Sequence, residues 1–183
     1  MRRKKIVLMT FAVIALCWSC SNTENRNEAE NQISIDKILQ KEDGTISLDV
    51  EKAVCYSDMI NPSSNTAEWH VAVSKSGRYN VWLSSSTKDT TDLRYKNSVM
   101  VSIMDNMLVA RPSCDKIIQN SSDVSLPYFR ADSFIGSLFI LDTGLLKIQV
   151  ISEKILPKNY ETNGTSGVVD SKLISVFLTP VKR

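Results

Sequence analysis

The sequence predicts an all-β domain built as a two-sheet sandwich, and three observations lead to this fold class. Short segments in which apolar and polar residues alternate recur from residue 46 to residue 180. Turns containing glycine, asparagine or aspartate separate several of these segments. In the same region, apolar residues do not recur over a long stretch with the 3.6-residue period of an α-helix. Alternation with a period of two is typical of antiparallel strands that place one face on a core, so a sandwich is favoured.

The alternating segments define the predicted strands. In chain order they are TISLDVEKAV, EWHVAV, YNVWL, SVMVSIMD, MLVA, SFIGSLFIL, LLKIQVIS and KLISVFLTP. The short turns KSGR, DN and DTG connect three successive pairs of them, as expected for hairpins.

The phase of each strand predicts where its aromatic side chains lie. Trp69 is in phase with Val71, so it is predicted in the core, whereas His70 is out of phase and is interpreted as a solvated side chain. Trp82 is out of phase with Val81 and is predicted on the outer face of its strand. Two interpretations of Trp82 stay open: a loop or the N-terminal segment covers it, or its ring forms a platform for a sugar.

The first twenty residues have the features of an export signal. A basic cluster, MRRKK, precedes an apolar run of eleven residues, Ile6–Leu16, which is too short to span a bilayer. Cys20 follows the small residue Ser19, and this arrangement resembles a bacterial lipoprotein signal. The resemblance implies cleavage before Cys20, acylation of that residue (with palmitate among the acyl groups) and anchoring to a lipid bilayer. An ordinary secretory signal and a short membrane anchor are the alternatives.

Composition divides the chain into three predicted parts. Residues 1–19 form the signal peptide, residues 20–43 form a polar tether, and residues 44–183 form the β-sandwich domain. The tether has too few apolar residues to fold alone, although its stretch ISIDKILQK has the spacing of a short helix. The expected location is the bacterial cell envelope, at the outer membrane, with the domain facing either the periplasm or the cell surface.

The charge balance argues against nucleic acid as a partner. The chain has 22 basic and 20 acidic residues, and four of the basic residues lie in the signal. The mature chain therefore carries 18 basic and 20 acidic residues, a net charge of −2. Its basic residues are spread along the sequence and form no stripe.

Two cysteines, Cys55 and Cys114, fall in the predicted domain. An exported protein lies where disulfides persist, so a Cys55–Cys114 bridge and two separate thiols are both open. With one histidine and no Cys-x-x-Cys pair in the domain, the sequence lacks the ligand spacing of a zinc site.

The order of the motifs resembles a known family. LDVEKA, EWHVAVSKSGRYNVWLSSS, VMVSIMDNMLV, GSLFILDTGLLKIQVIS and LISVFLTPV follow one another. This order is similar to the galactose-binding-like jelly roll of family 6 carbohydrate-binding modules, above all the version appended to bacterial α-L-fucosidases and sulfatases. The Gly-x-Tyr after the tryptophan strand and the terminal Leu-x-Pro, Leu178 to Pro180, carry much of the likeness. The resemblance covers residues 43–183.

The resemblance implies a glycan site formed by loops at one end of the sandwich. Three loops of suitable composition carry Tyr95, Tyr128 and Tyr160, with Arg130 in the same loop as Tyr128. Trp82 is the fourth aromatic candidate for contact with a glycan. Each loop tyrosine has the alternative interpretation of simple packing.

The same resemblance implies a structural calcium ion at the edge of the sandwich. Glu51 occupies the place of an acid on the first strand, and Asp170 is the candidate for the acid near the last strand. The alternative is that both carboxylates are solvated.

No catalytic motif accompanies these features. The chain lacks Gly-x-Ser-x-Gly, His-Glu-x-x-His and a glycine-rich phosphate loop, so it is predicted not to be an enzyme. The leading hypothesis is a membrane-anchored, non-catalytic lipoprotein that binds glycans. The alternative is a structural or protein–protein component of a bacterial envelope complex, and a small hydrolase with two facing carboxylates is a third hypothesis.

Overall fold

A computed structural model describes residues 37–156 and 170–182 of the 183-residue chain. The predicted signal peptide, the lipidation site Cys20, most of the predicted tether and Tyr160 lie outside the described residues. Within the described ranges, regular structure consists of strands and two short 3-10 turns, Val50–Lys52 and Pro62–Ser64. None of the described residues forms a helix with the length and apolar character needed to span a membrane.

Eleven strands make up the described fold. They are β1 (Ile38–Leu39), β2 (Ile46–Asp49), β3 (Val54–Tyr56), β4 (Thr66–Val73), β5 (Gly77–Thr87), β6 (Val99–Ile103), β7 (Asn106–Ala110), β8 (Lys116–Ile118), β9 (Phe129–Ile140), β10 (Gly144–Ile151) and β11 (Ser171–Pro180). The first sheet has the order β1-β4-β10-β6-β7, with β3 also paired to β4, and the second sheet has the order β2-β11-β5-β9-β8. Only the β1–β4 pair is parallel among the described strand pairs. The predicted all-β sandwich is confirmed.

The core lies between the two sheets and follows the predicted alternation. Val71 and Ile148 from the first sheet and Leu83 and Val176 from the second are fully buried. Trp69 is buried among them, as predicted, and its indole Nε1 donates a hydrogen bond to the backbone oxygen of Asp49 (2.8 Å). This bond satisfies the polar atom of the ring, which is why the core accommodates a tryptophan.

Strand β5 continues beyond its predicted apolar part into four polar residues, Ser84 to Thr87, and all four are buried. Ser84 Oγ donates to Asp132 Oδ1 (2.7 Å), Ser85 Oγ lies 2.9 Å from the hydroxyl oxygen of Tyr95, and Thr87 Oγ1 donates to the backbone oxygen of Asp89 (2.9 Å). A buried hydroxyl costs little when it is hydrogen-bonded, so a polar segment forms an interior strand here.

The folded part begins earlier than the predicted boundary at residue 44. Ile38 and Leu39 pair with β4, so the stretch ISIDKILQK contributes a strand in place of the expected short helix. Gln40 holds this entry in place, because its Oε1 accepts from the backbone nitrogen of Lys75 (2.8 Å) and its Nε2 donates to the Tyr79 hydroxyl (2.8 Å). Every described strand lies within residues 38–180, so a chain that starts at Ser21 keeps all of them.

Asp89 organises the turn after β5 and makes stability depend on pH. Its Oδ1 accepts hydrogen bonds from Thr91 Oγ1 (2.7 Å) and from the backbone nitrogens of Thr91 (2.9 Å) and Asp92 (3.2 Å). The Thr91 bonds, with Arg94 nearby, lower the pKa of Asp89 from 3.8 to about 2. A pKa that is lower in the folded state means that the charged carboxylate stabilises the fold above about pH 4 and that this contribution is lost as the pH falls towards 2.

We therefore expect the urea concentration at the midpoint of unfolding to decrease as the pH is lowered from about 5 to about 2, and the protonation of Asp89 contributes to this decrease. The measurement is urea unfolding followed by tryptophan fluorescence across this range. In Asp89→Asn, which keeps an oxygen acceptor and cannot titrate, the decline is expected to be shallower. An equal slope in the variant and in the wild type would contradict the role of Asp89.

Candidate functional site

The outer face of the second sheet carries three aromatic rings side by side. The strand register places Trp82 of β5 opposite Phe177 of β11 on one side and opposite Phe134 of β9 on the other. The ring centroids of Trp82 and Phe134 are 5.2 Å apart at 52°, and those of Trp82 and Phe177 are 6.2 Å apart and nearly parallel. We call these three residues the aromatic row. Trp82 is half-buried in the middle of it, and the ring of Phe134 is 44% exposed.

A β-bulge places Phe134 in the aromatic row. The register of β5 and β9 shifts between Val81 and Trp82, so that Val81 lies opposite Gly136 while Trp82 lies opposite Phe134. The extra residue, Ile135, is buried. Gly136 has φ +130° and a Cβ there would lie 3.3 Å from the side chain of Leu108, so this position requires glycine.

A groove of about 560 Å³ opens beside the aromatic row. Its wall and floor residues come from the start of the described chain, from β2 and the 3-10 turn after it, from β11, from β9 and from the loop before β9. They are Ile38, Thr45, Ser47, Leu48, Asp49, Lys52, Asp123, Arg130, Ile174, Ser175 and Phe177. We call it the outer groove. It combines one aromatic ring with hydroxyl groups and charges of both signs, which is the mixture that polar ligands with apolar faces require.

A hydrogen-bonded ion-pair network fixes the position of Arg130 in the outer groove. Arg130 Nε donates to Asp132 Oδ1 (2.8 Å), its Nη2 donates to Oδ2 (3.2 Å), and its Nη1 pairs with Asp123. The guanidinium carbon lies 5.5 Å from the centroid of the Phe177 ring. Burial lowers the pKa of Arg130, but the bonds to Asp132 and Asp123 outweigh it and raise the pKa above its ordinary value. Arg130 is therefore charged, and its orientation is preorganised.

Tyr95 is not part of a loop surface, and its predicted contact with a glycan is wrong. Its ring is 2% exposed, and its hydroxyl lies 2.9 Å from Ser85 Oγ inside the sandwich. Burial raises the pKa of this hydroxyl. The surrounding loop sequence, STKDTTDLRYKN, is polar, so the alternation that marks core residues elsewhere is missing around Tyr95.

Tyr128 is half-buried just before β9, and the ammonium group of Lys88 lies 5.0 Å from the centroid of its ring. It is not one of the residues that line the outer groove. Of the four predicted glycan contacts, Trp82 alone belongs to the aromatic row, and Tyr160 lies outside the described residues. Phe134 and Phe177 are the site residues that sequence reasoning missed, whereas Arg130 belongs to the loop that was predicted to bind a glycan together with Tyr128. The position of Phe177 on an outer face was predictable from the sequence, because Phe177 alternates with Val176 and Leu178 in the same way that Trp82 alternates with its neighbours.

The structure places the two predicted calcium ligands, Glu51 and Asp170, at different elements. Glu51 is exposed on the first 3-10 turn, and Asp170 Oδ2 accepts a hydrogen bond from Arg94 Nη1 at 3.1 Å. One oxygen of the Asp170 carboxylate is therefore already paired with a guanidinium group. Within residues 37–156 and 170–182, no three His, Cys, Asp or Glu side chains form a group able to hold a metal ion. Calcium requires six to eight oxygen ligands.

The two cysteines of the domain do not pair with each other. Cys114 carries a free thiol before β8, and burial raises its pKa. Cys55 lies on β3, with its Sγ 3.9 Å from the backbone oxygens of Val50 and Ala53. Of the two alternatives that the sequence left open, the structure does not contain the Cys55–Cys114 bridge.

His70 lies on the outer face of the first sheet, away from the outer groove. It is half-buried rather than fully solvated, and its Nδ1 is buried without a hydrogen-bond partner in the described part of the chain. The neighbouring Glu68 is buried and bound by Lys147 Nζ (3.0 Å) and Gln149 Nε2 (2.6 Å). Burial raises the pKa of Glu68, but these bonds outweigh it, and the net pKa is lower than its ordinary value.

Comparison with known proteins identifies the fold. No protein-family model matches the chain, and no curated protein matches it. Among solved structures, the chain is similar to the α-L-fucosidase of Vibrio sp. strain EJY3, with a TM-score of 0.59 and 19% identity over 78% of this chain and 24% of the fucosidase.

Two further solved structures are similar to the chain with lower TM-scores. They are the GH26-CBM35 β-(1,4)-mannanase of Podospora anserina (TM-score 0.43, 12% identity, 77% of this chain and 28% of the mannanase) and the insecticidal crystal protein Cry2Aa (TM-score 0.45, 14% identity, 78% of this chain and 22% of that protein). The chain thus matches about a quarter of the length of each of these proteins. At 19% identity, the likeness to the fucosidase establishes that this chain has a β-sandwich fold.

Proposed function

We propose that this protein is a non-catalytic glycan-binding module and that the outer groove is its binding site. One observation carries the proposal: a row of aromatic rings on the outer face of the second sheet borders a groove that contains an oriented arginine and two carboxylates, Asp49 and Asp123. The proposal differs from the sequence-based expectation in its location, because the face of a sheet replaces the loops at one end.

The geometry supports sugar binding through two kinds of contact. Phe177 and Phe134 offer apolar surfaces against which the C–H face of a pyranose packs. Trp82 stands between them, with its ring centroid 5.2 Å from that of Phe134 and 6.2 Å from that of Phe177, so its role is to hold its two neighbours in position. Asp49, Lys52 and Arg130 supply hydrogen-bond acceptors and donors for hydroxyl groups along the groove.

Preorganisation favours binding at this site. Arg130 is held by two carboxylates, and Asp132 is held in turn by Ser84. A side chain that is already ordered loses little conformational entropy when a ligand binds, so more of the contact energy contributes to affinity.

The similarity to the fucosidase adds to the proposal. That protein is named for an activity on a sugar, and about a quarter of its chain shares the fold described here. We extend the proposal to the location of the protein: the signal and Cys20 anchor it by acyl chains to the bacterial cell envelope, where the module captures polysaccharide without cleaving it.

The test is binding of the protein from Ser21 onwards to a glycan array, followed by titration calorimetry with the best glycan. Phe177→Ala is expected to weaken binding about tenfold, the equivalent of about 1.4 kcal/mol, because the ring loses its contact with the sugar. Phe139→Ala is the matched control, since Phe139 is an exposed phenylalanine of β9 in the same sheet and lies outside the outer groove.

Further measurements separate the proposal from its alternatives. A chelator is expected to leave binding unchanged, because no three His, Cys, Asp or Glu side chains among the described residues, which include Glu51 and Asp170, form a group able to hold a metal ion. Binding lost equally in Phe177→Ala and Phe139→Ala would place the site elsewhere. No binding across a broad array would refute glycan binding and favour the role in an envelope complex.

A further inference from the structure

Strand β7 forms an edge of the first sheet with features that permit pairing with another strand. Among the described strands it pairs with β6 alone. Its sequence, NMLVA, contains no charged residue and no proline, the residues with which edge strands commonly avoid association. Met107 and Val109 are 59% and 58% exposed.

The hairpin turn determines which backbone groups of β7 face the free edge. Met104 and Asp105 form a two-residue turn, and Ile103 is paired with Asn106 on either side of it. In such a hairpin the flanking pair is hydrogen-bonded, so Asn106 directs its N–H and C=O to β6. By alternation, the N–H and C=O groups of Met107 and Val109 point away from β6, towards the free edge.

The charges at the two ends of β7 are complementary to a second copy of the same strand. When two β7 strands run antiparallel about a two-fold axis at Leu108, Met107 lies opposite Val109 of the other copy, and Asp105 lies opposite Arg111. The two-fold axis repeats both pairs, so the register brings two pairs of opposite charge together. Arg111 donates one hydrogen bond to the backbone oxygen of Tyr95 (2.7 Å) and has further N–H groups for the carboxylate.

We propose that this protein self-associates by antiparallel pairing of β7 with β7 of a second copy, which joins the two first sheets into one. Met107 and Val109 are the residues whose backbone groups form the new hydrogen bonds. An apolar stripe on the outer face continues from Val109 through Met100 and Ile151 towards Tyr56, and the pairing brings the two stripes together.

This interface leaves the outer groove accessible, because the only groove residue on the first sheet, Ile38, lies on β1, at the opposite edge of that sheet from β7. Two copies joined through β7 therefore present two grooves, and binding of both to one polysaccharide raises the overall affinity by effective concentration. The self-association itself does not depend on the proposed glycan binding and is tested without a glycan.

The test measures association by sedimentation velocity over a concentration series of the protein from Ser21 onwards. Asp105→Lys places Lys opposite Arg111 twice, and Arg111→Glu places Glu opposite Asp105 twice, so each variant alone is expected to associate about tenfold more weakly than the wild type. An equimolar mixture of the two variants restores opposite charges at both positions and is expected to recover association to within about threefold of the wild type. Asp142→Lys, in the turn before β10, is the control and is expected to associate like the wild type.

The mixture keeps the test decisive, because a variant that merely folds poorly is not rescued by a second altered chain. A wild type that stays monomeric throughout the series would overturn the proposal. So would association that is the same in the wild type and both single variants, or a mixture that associates no better than either variant alone.

Discussion

Replacing Tyr95 with alanine is expected to lower the free energy of unfolding by about 4 kcal/mol, the typical cost of removing a large aromatic side chain from a core. The ring is buried within the sandwich, and its hydroxyl bonds to Ser85, which is itself buried on β5. The variant loses the packing of the ring and also leaves the Ser85 hydroxyl without this partner. Urea unfolding followed by tryptophan fluorescence measures the change.

Two further variants separate the contributions to this loss. Tyr95→Phe keeps the ring and removes the hydroxyl, so its expected cost is about 1 kcal/mol. Tyr56→Ala removes an exposed tyrosine of β3 and is expected to change stability by less than about 0.5 kcal/mol. If Tyr95→Ala were as stable as the wild type and instead lost glycan binding, Tyr95 would have to be a surface residue, against the structure.

The second large effect concerns the Arg130–Asp132 pair. Arg130→Met is expected to cost about 3 kcal/mol, because Asp132 is only 4% exposed and its carboxylate would remain buried without its guanidinium partner. Combining Arg130→Met with Asp132→Leu is expected to recover about 2 kcal/mol of this loss, since the buried charge is removed as well. Chemical unfolding of the two single variants and the double variant gives the coupling energy.

An exposed ion pair provides the matched control. Arg94 and Asp170 are 3.1 Å apart with side chains that are about half exposed, so Arg94→Met is expected to cost less than about 1 kcal/mol. If Arg94→Met and Arg130→Met lowered the free energy of unfolding by similar amounts, the burial of an ion pair would not determine how much stability its removal costs. The double variant has a second use, because it is expected to be folded and yet to bind glycan poorly if Arg130 is a ligand of the outer groove.

Residues that follow a regular alternation were predicted well. Trp69 in the core follows from its phase with Val71, and the fold class follows from the repetition of such segments. These predictions succeed because a strand exposes two faces and only one of them contacts the core.

Residues whose environment depends on distant parts of the chain were not predictable. The buried serines of β5 are polar in sequence, and only Asp132 and Tyr95, brought in from elsewhere in the chain, make their burial favourable. Gln40 is a tether residue in sequence, and its contacts with Lys75 and Tyr79 exist only after folding.

The candidate site also contains both kinds of residue: one that local alternation predicts and one whose position depends on distant parts of the chain. Trp82 was predicted on an outer face from its phase alone. Phe134 reaches that face only because a bulge shifts the register of β9 by one residue, and a one-residue shift reverses the side to which every following side chain points.

The sequence by itself therefore determined that this protein is an all-β sandwich, which side of each regular strand contacts the core, and that Trp82 lies outside it. These properties depend on local alternation, which is encoded within a few neighbouring residues. Only the tertiary structure decided that Tyr95 belongs to the core and that Phe134, Phe177 and Arg130 meet beside one groove. Those relationships depend on register and pairing between strands that are far apart in the chain, and pairing partners are chosen by the packing of the whole domain.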